Sequence, residues 1–558
     1  MDNYQIAENF SLLSKLMDIH GENSFKAKTY AIAAYRVENL TEQLSATPVE
    51  KISVIKGIGE STGKKIIELL ETGELKILQE MIEKTPPGVI ELLNIKGIGP
   101  KKIHTIWKEM EIESIGELLY ACQENRLKLY KGFGEKTQNN IIETIEYYLH
   151  NQGSYLYPQV EAVVPQIVPY LEKLFGEENI AVTGAFKRQV EIIDELEFVV
   201  NSTNELIKPK FVSANPPELL EEKPDSLLYK LLNGLRLRLY TGTENFQKRK
   251  FTTSGSAEFA AAFELQFAHI DYSKDEAGIF AQAKINYIPA CLRETATIID
   301  KVKTIKVPEL VQVSDIKGII HSHSNWSDGS YTVEDMAKAA KEKGFEYLVI
   351  SDHSKSAFYA QGLTEERIAA QQQYVNELND KIRGFKIFKS IECDILNDGN
   401  LDYTNTILST FDLVIVSVHS NLKMSEEKAM MRLINAIENP YTTILGHMTG
   451  RLLLSRKGYP VNHKKIIDAC AANHVAIELN AHPSRLDIDW RHIDYALEKN
   501  VLISIDPDAH TIEGFDDIKY GVLAAQKAMV TKEQNLSSFG VKEFENYLDK
   551  VRGLKGIR

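Results

Sequence analysis

A chain of 558 residues, 43% hydrophobic and 26% charged, is too long for one core and has the balance of a soluble, multidomain protein. Its formal net charge of −13 excludes nucleic-acid binding by bulk positive charge, though not recognition of phosphates through backbone amides. The four cysteines, Cys122, Cys291, Cys393 and Cys470, form no C-x-x-C pair, which excludes a disulfide scaffold and a cysteine-zinc site. No apolar run is long enough for a bilayer, and MDNYQIAENFSLLSKL lacks the blocks of a signal peptide, so a cytoplasmic protein without a membrane partner is expected.

Residues 1 to about 150 are expected to be nearly all helix, since apolar residues recur at helical spacing, as in Phe10, Leu13, Leu16 and Met17. Three turns punctuate them: Lys56-Gly57-Ile58-Gly59, Lys96-Gly97-Ile98-Gly99 and Lys131-Gly132-Phe133-Gly134. This is an internal repeat, and the copies are trailed by Lys64-Lys65, Lys101-Lys102 and Lys136. Two glycines permit a tight turn, after which amides at a helix start face an anion. The turns resemble the helix-hairpin-helix motif, which implies contacts to the DNA backbone without sequence preference.

Residues 151–300 read as mixed. Strands are expected at 180–183, 196–200 and 235–240, with Pro209, Pro216, Pro217 and Pro224 marking loops. Residues 301–316 read as an extended linker. From 317 to 558 a unit of strand, polar tip and helix recurs, with strands ending near His323, Asp352, Glu392, His419, His447, Asn480 and Asp506, the grammar of a seven-unit β/α barrel.

Those tips carry the chemistry. Ten of the 14 histidines lie at or after residue 321. His321, His323, Asp328, His353, Glu392, His419, His447, Asp508 and His510 follow successive strands, and residues i and i+2 of a strand face the same way. Nine such donors exceed what one cation uses, so two or three divalent metals are expected, with Glu392 bridging. Imidazole ligands favour manganese or zinc over magnesium. Arg451 is a candidate phosphate clamp, and His482, with Arg485, a candidate substrate contact; His463, His474 and His492 lie outside the pattern.

His-x-His with S-D-G, I-S-D-H-S, I-E-C-D-I-L, V-S-V-H-S, I-L-G-H-M-T-G-R and D-P-D-A-H resemble the PHP (polymerase and histidinol phosphatase) superfamily. That resemblance implies a distorted seven-unit barrel and a trinuclear site. One metal would sit on His321, His323, Glu392 and Asp508, a second on Asp328, His353 and His510, and a third on Glu392, His419 and His447. Ile320 stands where many relatives have Asp.

Helical front end, mixed middle and barrel together resemble bacterial family X DNA polymerases over nearly the whole chain. The resemblance implies a lyase-like helical domain (1–82), a fingers-like one (83–150), a nucleotidyltransferase-like α+β palm (151–300), a linker (301–316) and the PHP barrel (317–558). Lys65 aligns with the Schiff-base position of lyase-active relatives. The family's palm pattern, G-S-x-R-R, Glu and D-x-D, reads here Gly184-Ala185-Phe186-Lys187-Arg188, Glu191 and Glu195-Leu196-Glu197, and the third aspartate aligns with Arg236. Two longer carboxylates and an arginine ill suit two-metal nucleotidyl transfer. The expectation is a DNA-repair nuclease acting at gaps, nicks or 3′ ends, monomeric, with a degenerate palm. Its rivals are an active gap-filling polymerase, a small-molecule phosphatase and a non-enzymatic scaffold.

Overall fold

The computed structural model describes the chain except residues 39, 41, 56, 57, 96, 150–152, 212–215, 245 and 558 and the side chains of residues 147 and 359. Lys56, Gly57 and Lys96 of the hairpin repeats therefore lie outside the described residues. Two compact units result: residues 1–123 with 130–148, and residues 124–129 with 149–558. No helix among the described residues is long and apolar enough to cross a membrane.

The first unit is helical. Asn3–His20 starts on Asp2, whose carboxylate accepts the Gln5 N–H, and packs against Ser24–Glu38 through Phe10, Leu13, Leu16 and Met17, all buried. Later helices include Glu60–Thr72, Pro100–Lys108 and Glu135–Leu149. His104 Nδ1 lies 2.9 Å from the Ile19 carbonyl and His20 Nε2 2.7 Å from Thr85 Oγ1, which ties the first helix to the tandem that follows.

The second unit begins with a mixed sheet. Its strands are β1 (Tyr155–Leu156), β2 (Ile180–Thr183), β3 (Ile192–Ile193), β4 (Glu195–Val200), β5 (Glu218–Lys223), β6 (Ser226–Lys230) and β7 (Arg236–Thr241). Five of them run in the order β2-β4-β7-β6-β5, with β4 and β7 parallel; β1 pairs with β3. The expected strands at 180–183, 196–200 and 235–240 correspond to β2, β4 and β7. The β5–β6 hairpin lies in the stretch read as loops. Its outer strand, Glu-Leu-Leu-Glu-Glu-Lys, is an edge whose charges discourage pairing with another chain, and Pro224 sits in its turn.

Helices Phe246–Thr253, Ala257–Gln266, Glu276–Gln282 and Thr297–Thr304 follow, around a core of Phe251, Phe259, Phe263 and Phe280. The extended linker expected from 301 is corrected here. Helix runs on to Thr304 because Ile298, Ile299 and Val302 form one buried stripe, and Val311 is then pinned when its N–H donates to the Val530 carbonyl at 2.9 Å.

The C-terminal part carries β8 (Gly318–Ile319), β9 (Tyr347–Ile350), β10 (Lys386–Lys389), β11 (Glu392–Asp394), β12 (Ile415–Ser417), β13 (Ile444–Leu445), β14 (Ala476–Asn480) and β15 (Ile503–Asp506). They form two parallel sheets, β10-β9-β8 and β11-β12-β13-β14-β15. Bridges His353↔Glu392 and Ser322↔Ala509 join the two at both ends, closing a ring. One end is apolar: Ile320, Val349, Phe388, Ile415, Ile444 and Ala476 pack against Phe544 and Leu548 of the last helix, Val541–Leu554. That plug leaves polar chemistry to the other end.

The mixed sheet and the ring meet directly. Lys527 Nζ, nearly buried, donates to the Arg188 carbonyl at 2.7 Å and to Glu294 Oε1 at 2.8 Å, and Arg491 pairs with Glu191 at 2.7 Å.

Candidate functional site

Strand period places the ligand set. His353, Glu392 and His419 each follow a serine by two residues (Ser351, Ser390, Ser417), so each strand turns a hydroxyl and then a ligand inward, above the apolar plug. His321 and Asp508 have φ of +63° and +53°, left-handed values that cost non-glycine residues of order 1–3 kcal/mol each. Both turns aim their side chains back at the ring's centre, beside the Ser322↔Ala509 bridge.

At that centre is Glu392, 1% exposed. Its Oε1 lies 3.4 Å from His321 Nε2, 3.1 Å from His419 Nε2 and 3.0 Å from His447 Nε2. Its Oε2 lies 3.6 Å from His323 Nε2 and 3.0 Å from His353 Nδ1. Asp508 Oδ1 is 3.3 Å from His321 Nε2 and 3.0 Å from His323 Nε2. Asp328 reaches His353 and His510 at 3.5 Å each, and His323 at 4.0 Å.

Three overlapping groups have the geometry to hold a cation: His323, Asp328, His353 and His510; His321, His323 and Asp508; His353, Glu392 and His419. Relative to the partition implied by resemblance, His323 and His353 are each shared, and His447 stands beside Glu392, outside the three groups. His321 Nε2, His323 Nδ1, Asp328 Oδ2, Glu392 Oε2 and His510 Nε2 are buried without a hydrogen bond. Orphaned imidazole and carboxylate atoms converging in this way fit divalent cations.

The electrostatics agree. Burial alone would strip protons from these imidazoles, yet facing carboxylates reverse it: Glu392 and Asp394 hold His419 up to about 9, and Asp328 holds His510 up to about 9. His323, pressed by burial and by His510 and His353, is lowered instead.

Two orienting carboxylates were not read from the sequence. Asp394 accepts from His419 Nδ1 at 2.6 Å, and Glu478 from His321 Nδ1 at 2.6 Å. Asp394 had a signal, lying two residues beyond Glu392 on one strand face; Glu478 had only its place in the A-I-E-L-N strand. Each fixes a ring so that the opposite nitrogen faces the centre. Glu478→Gln should weaken Mn2+ binding about 10–100-fold by calorimetry, while saturating Mn2+ restores turnover.

Arg451 is corrected. Its guanidinium donates to the Arg485 carbonyl at 2.9 Å, to the Leu486 carbonyl and to Asp489, so each of its three nitrogens braces the 482–489 loop. A phosphate clamp needs those donors for the ligand. The His482 backbone N–H donates to Asn480 Oδ1, and the Asn480 amide donates to Asp508 at 3.0 Å; burial lowers the His482 ring to about 4. His463 and His492 stack on each other at 3.8 Å.

In the helical unit, Gly59, Gly99 and Gly134 immediately precede helices Glu60–Thr72, Pro100–Lys108 and Glu135–Leu149. Gly97 and Gly132 adopt φ of +93° and +94°, which only glycine takes without strain. Ile58, Ile98 and Phe133 between the glycines are buried, while Gly59, Gly97, Gly99, Gly132 and Gly134 are exposed. Each described turn therefore anchors its apolar residue and presents bare backbone outward. Lys101 and Lys136 are exposed and Lys65 half-buried; Lys64 pairs with Glu60 at 2.9 Å, and Lys102 Nζ lies over the Phe133 ring at 5.6 Å.

In the mixed sheet, register pairs Glu195 with Arg236 and Glu197 with Arg238. Arg236 at the third corner is corrected. Its guanidinium donates to the Asp194 and Gly153 carbonyls, and Arg238 is the residue that meets the carboxylates. Gly184 is required: a Cβ there would lie 1.7 Å from Glu197 Oε2, and its φ is +67°. Arg188 is held by Glu294 and by the Gly255 carbonyl.

A helix-hairpin-helix domain matches residues 1–75, a SAM-like helix-hairpin-helix tandem 89–146, and a PHP domain 320–482. Over 555 residues the chain is 29% identical to the DNA polymerase/3'-5' exonuclease PolX of Bacillus subtilis (strain 168), spanning 95% of this chain and 96% of that protein. A probable phosphatase of Thermoanaerobacter sp. (strain X514) is 28% identical over 42% of this chain and 96% of its own length. One of Caldanaerobacter subterraneus subsp. tengcongensis is 30% identical over 29% of this chain and 60% of its own. In sequence and in domain content this chain is a relative of bacterial PolX, with helix-hairpin-helix domains at its front and a PHP domain behind them.

Proposed function

We propose that this chain is a metal-dependent 3′-5′ DNA exonuclease of the PolX kind, whose ring of strands is a distorted seven-unit PHP barrel and whose palm does not extend primers. The observation that carries it is Glu392 within 3.0–3.6 Å of five imidazoles, four of them buried and that of His419 nearly so. His321, His323, Asp328, His353, Glu392, His419, His447, Asp508 and His510 would hold two or three divalent cations, manganese or zinc ahead of magnesium. Bound cations supply Lewis acidity toward phosphate oxygens and make water more acidic. The protein's own part is orientation: Asp394 and Glu478 fix two rings, and Arg451 braces the loop that carries His482 and Arg485. His482, held neutral by burial and with its Nδ1 accepting the Ser484 N–H at 3.2 Å, would meet substrate as an uncharged ring. Arg485, on the same loop, would be the substrate contact read beside His482.

The hairpins would hold gapped or nicked DNA through exposed amides, in a monomer working in the cytoplasm. Lys101→Ala should weaken binding alike for every sequence and reduce the slope of log affinity against log salt by about 0.9, measured by fluorescence anisotropy. Lys64→Ala should do less, since its charge is already shared with Glu60.

Two other readings have support. Similarity to a probable phosphatase over 42% of this chain favours a phosphatase, for which we take small phosphate esters as the substrate, and similarity to a polymerase favours gap filling. Gapped DNA incubated with Mn2+, with and without deoxynucleotides, separates them. Shortening that needs Mn2+ supports the proposal; lengthening, or hydrolysis of small phosphate esters with DNA left intact, overturns it.

A further inference from the structure

A family X palm implies two cations on the carboxylates of β4 and β7, and the residues of this sheet do not fit them. Glu195, the first carboxylate of β4, has both oxygens taken by one guanidinium. Arg238 Nε donates to its Oε2 at 2.5 Å and a terminal nitrogen to its Oε1 at 3.1 Å. The remaining terminal nitrogen donates to Glu221 Oε2 at 3.1 Å, on β5, and approaches Ser226 Oγ on β6 at 3.5 Å. Glu197 is engaged as well: the Ala185 N–H donates to its Oε2 at 2.8 Å and the Tyr240 hydroxyl to its Oε1 at 2.9 Å.

These contacts follow from register. Arg238 stands directly across the parallel pair from Glu197, one strand over from Glu195, so its side chain emerges on the face from which both carboxylates rise. The Arg238 side chain is only 13% exposed and that of Glu195 22%, so water screens the pair poorly. A divalent cation seated between Glu195 and Glu197 would face a fixed positive charge already in bidentate contact with one of them. Glu197 meanwhile serves as an acceptor for the Gly184–Lys187 turn, a role that ties β4 to β2 whether or not metal is present.

We propose that Arg238 is the palm's resident cation: it pairs bidentately with Glu195 and reaches Glu221, takes the place of the divalent metals, and makes this sheet a metal-independent structural platform. The idea rests on reading the sheet as a palm and deepens the absence of primer extension into a cause.

The test is equilibrium dialysis of the full chain against Mn2+ alone. Wild type and Glu195→Gln/Glu197→Gln should bind the same number of ions, and Arg238→Gln, which releases Glu195 and Glu221 beside Glu197, should bind at least one more. Fewer ions on the double glutamine variant, or no gain on Arg238→Gln, would overturn the proposal. Melting in the presence of chelator gives a second reading that needs no folded arginine variant. An ion pair predicts that Glu195→Gln lowers the melting temperature, whereas repelling metal ligands predict that it raises it, which would equally refute the idea. Shortening of DNA by the barrel should be unchanged in all these variants; its absence in wild type would sink the exonuclease reading and leave the palm's ion count standing.

Discussion

Glu392→Gln should abolish Mn2+-dependent shortening of DNA, by at least about 10³-fold, while the affinity for gapped DNA changes less than about twofold. The substitution keeps shape and removes one charge, at the only carboxylate among the described residues that faces His321, His323, His353, His419 and His447 together. Cations brought into a buried site by neutral imidazoles need anionic partners to offset their desolvation. Asp508 and Asp328 serve the two flanks, but neither reaches His419 or His447 among the ion pairs of the described residues. Metal stabilisation of a phosphoryl transition state is worth several kcal/mol, and each 1.36 kcal/mol is tenfold in rate. The measurement is single-turnover degradation at saturating Mn2+, beside anisotropy on the same DNA. Retention of activity within tenfold would remove Glu392 from the bridging position. Unchanged binding is expected because the exposed hairpin glycines belong to the other compact unit.

How far the sequence could be read depended on what kind of order each feature needs. The rim ligands were legible because strand alternation is local: a serine two residues before His353, Glu392 or His419 already says that both face inward. The hairpins were legible for the same reason, since Gly-Ile-Gly and Gly-Phe-Gly encode a left-handed turn and a helix start within four residues. Arg236 and Arg451 were misread because a guanidinium's partner is set by tertiary contact. Arg236 and Arg238 alternate on one strand with their side chains on one face, and only the pairing of β7 with β4 and β6 decides which meets Glu195. The β5 strand was missed because its Glu-Leu-Leu-Glu-Glu-Lys run lacks alternation and lies at an exposed edge. Glu478 carried no local mark: it is one more residue of a buried strand until the ring closes and His321 arrives 2.6 Å away.

Asp352 is the same kind of residue, and its loss should cost the most stability. It lies in the I-S-D-H-S segment next to His353, is fully buried, and belongs to none of the cation groups. Its Oδ1 accepts the Ser324 N–H at 2.8 Å and the Ser327 hydroxyl at 2.5 Å; its Oδ2 accepts the Ser324 hydroxyl and the Gln371 amide at 2.6 Å each. Four donors from two segments thus converge on one carboxylate, and they fold the 324–329 turn that delivers Asp328. Asp352→Ala would leave those donors buried without an acceptor, at about 1–3 kcal/mol for each one not rescued by water, or about 3–5 kcal/mol in all. For a unit of this size that corresponds to a fall of about 10 °C in the melting temperature of the barrel. The expected signature has two parts. Asp352→Ala melts early and binds Mn2+ weakly, because the turn carrying Asp328 loosens, whereas Asp328→Asn binds Mn2+ weakly with a much smaller fall in melting temperature. Scanning calorimetry with Mn2+ titration distinguishes them. A barrel that melts at the wild-type temperature without Asp352 would mean that the turn is held by its own backbone bonds, such as Gly329 N–H to the Ser324 carbonyl at 3.0 Å, and that the carboxylate is a bystander.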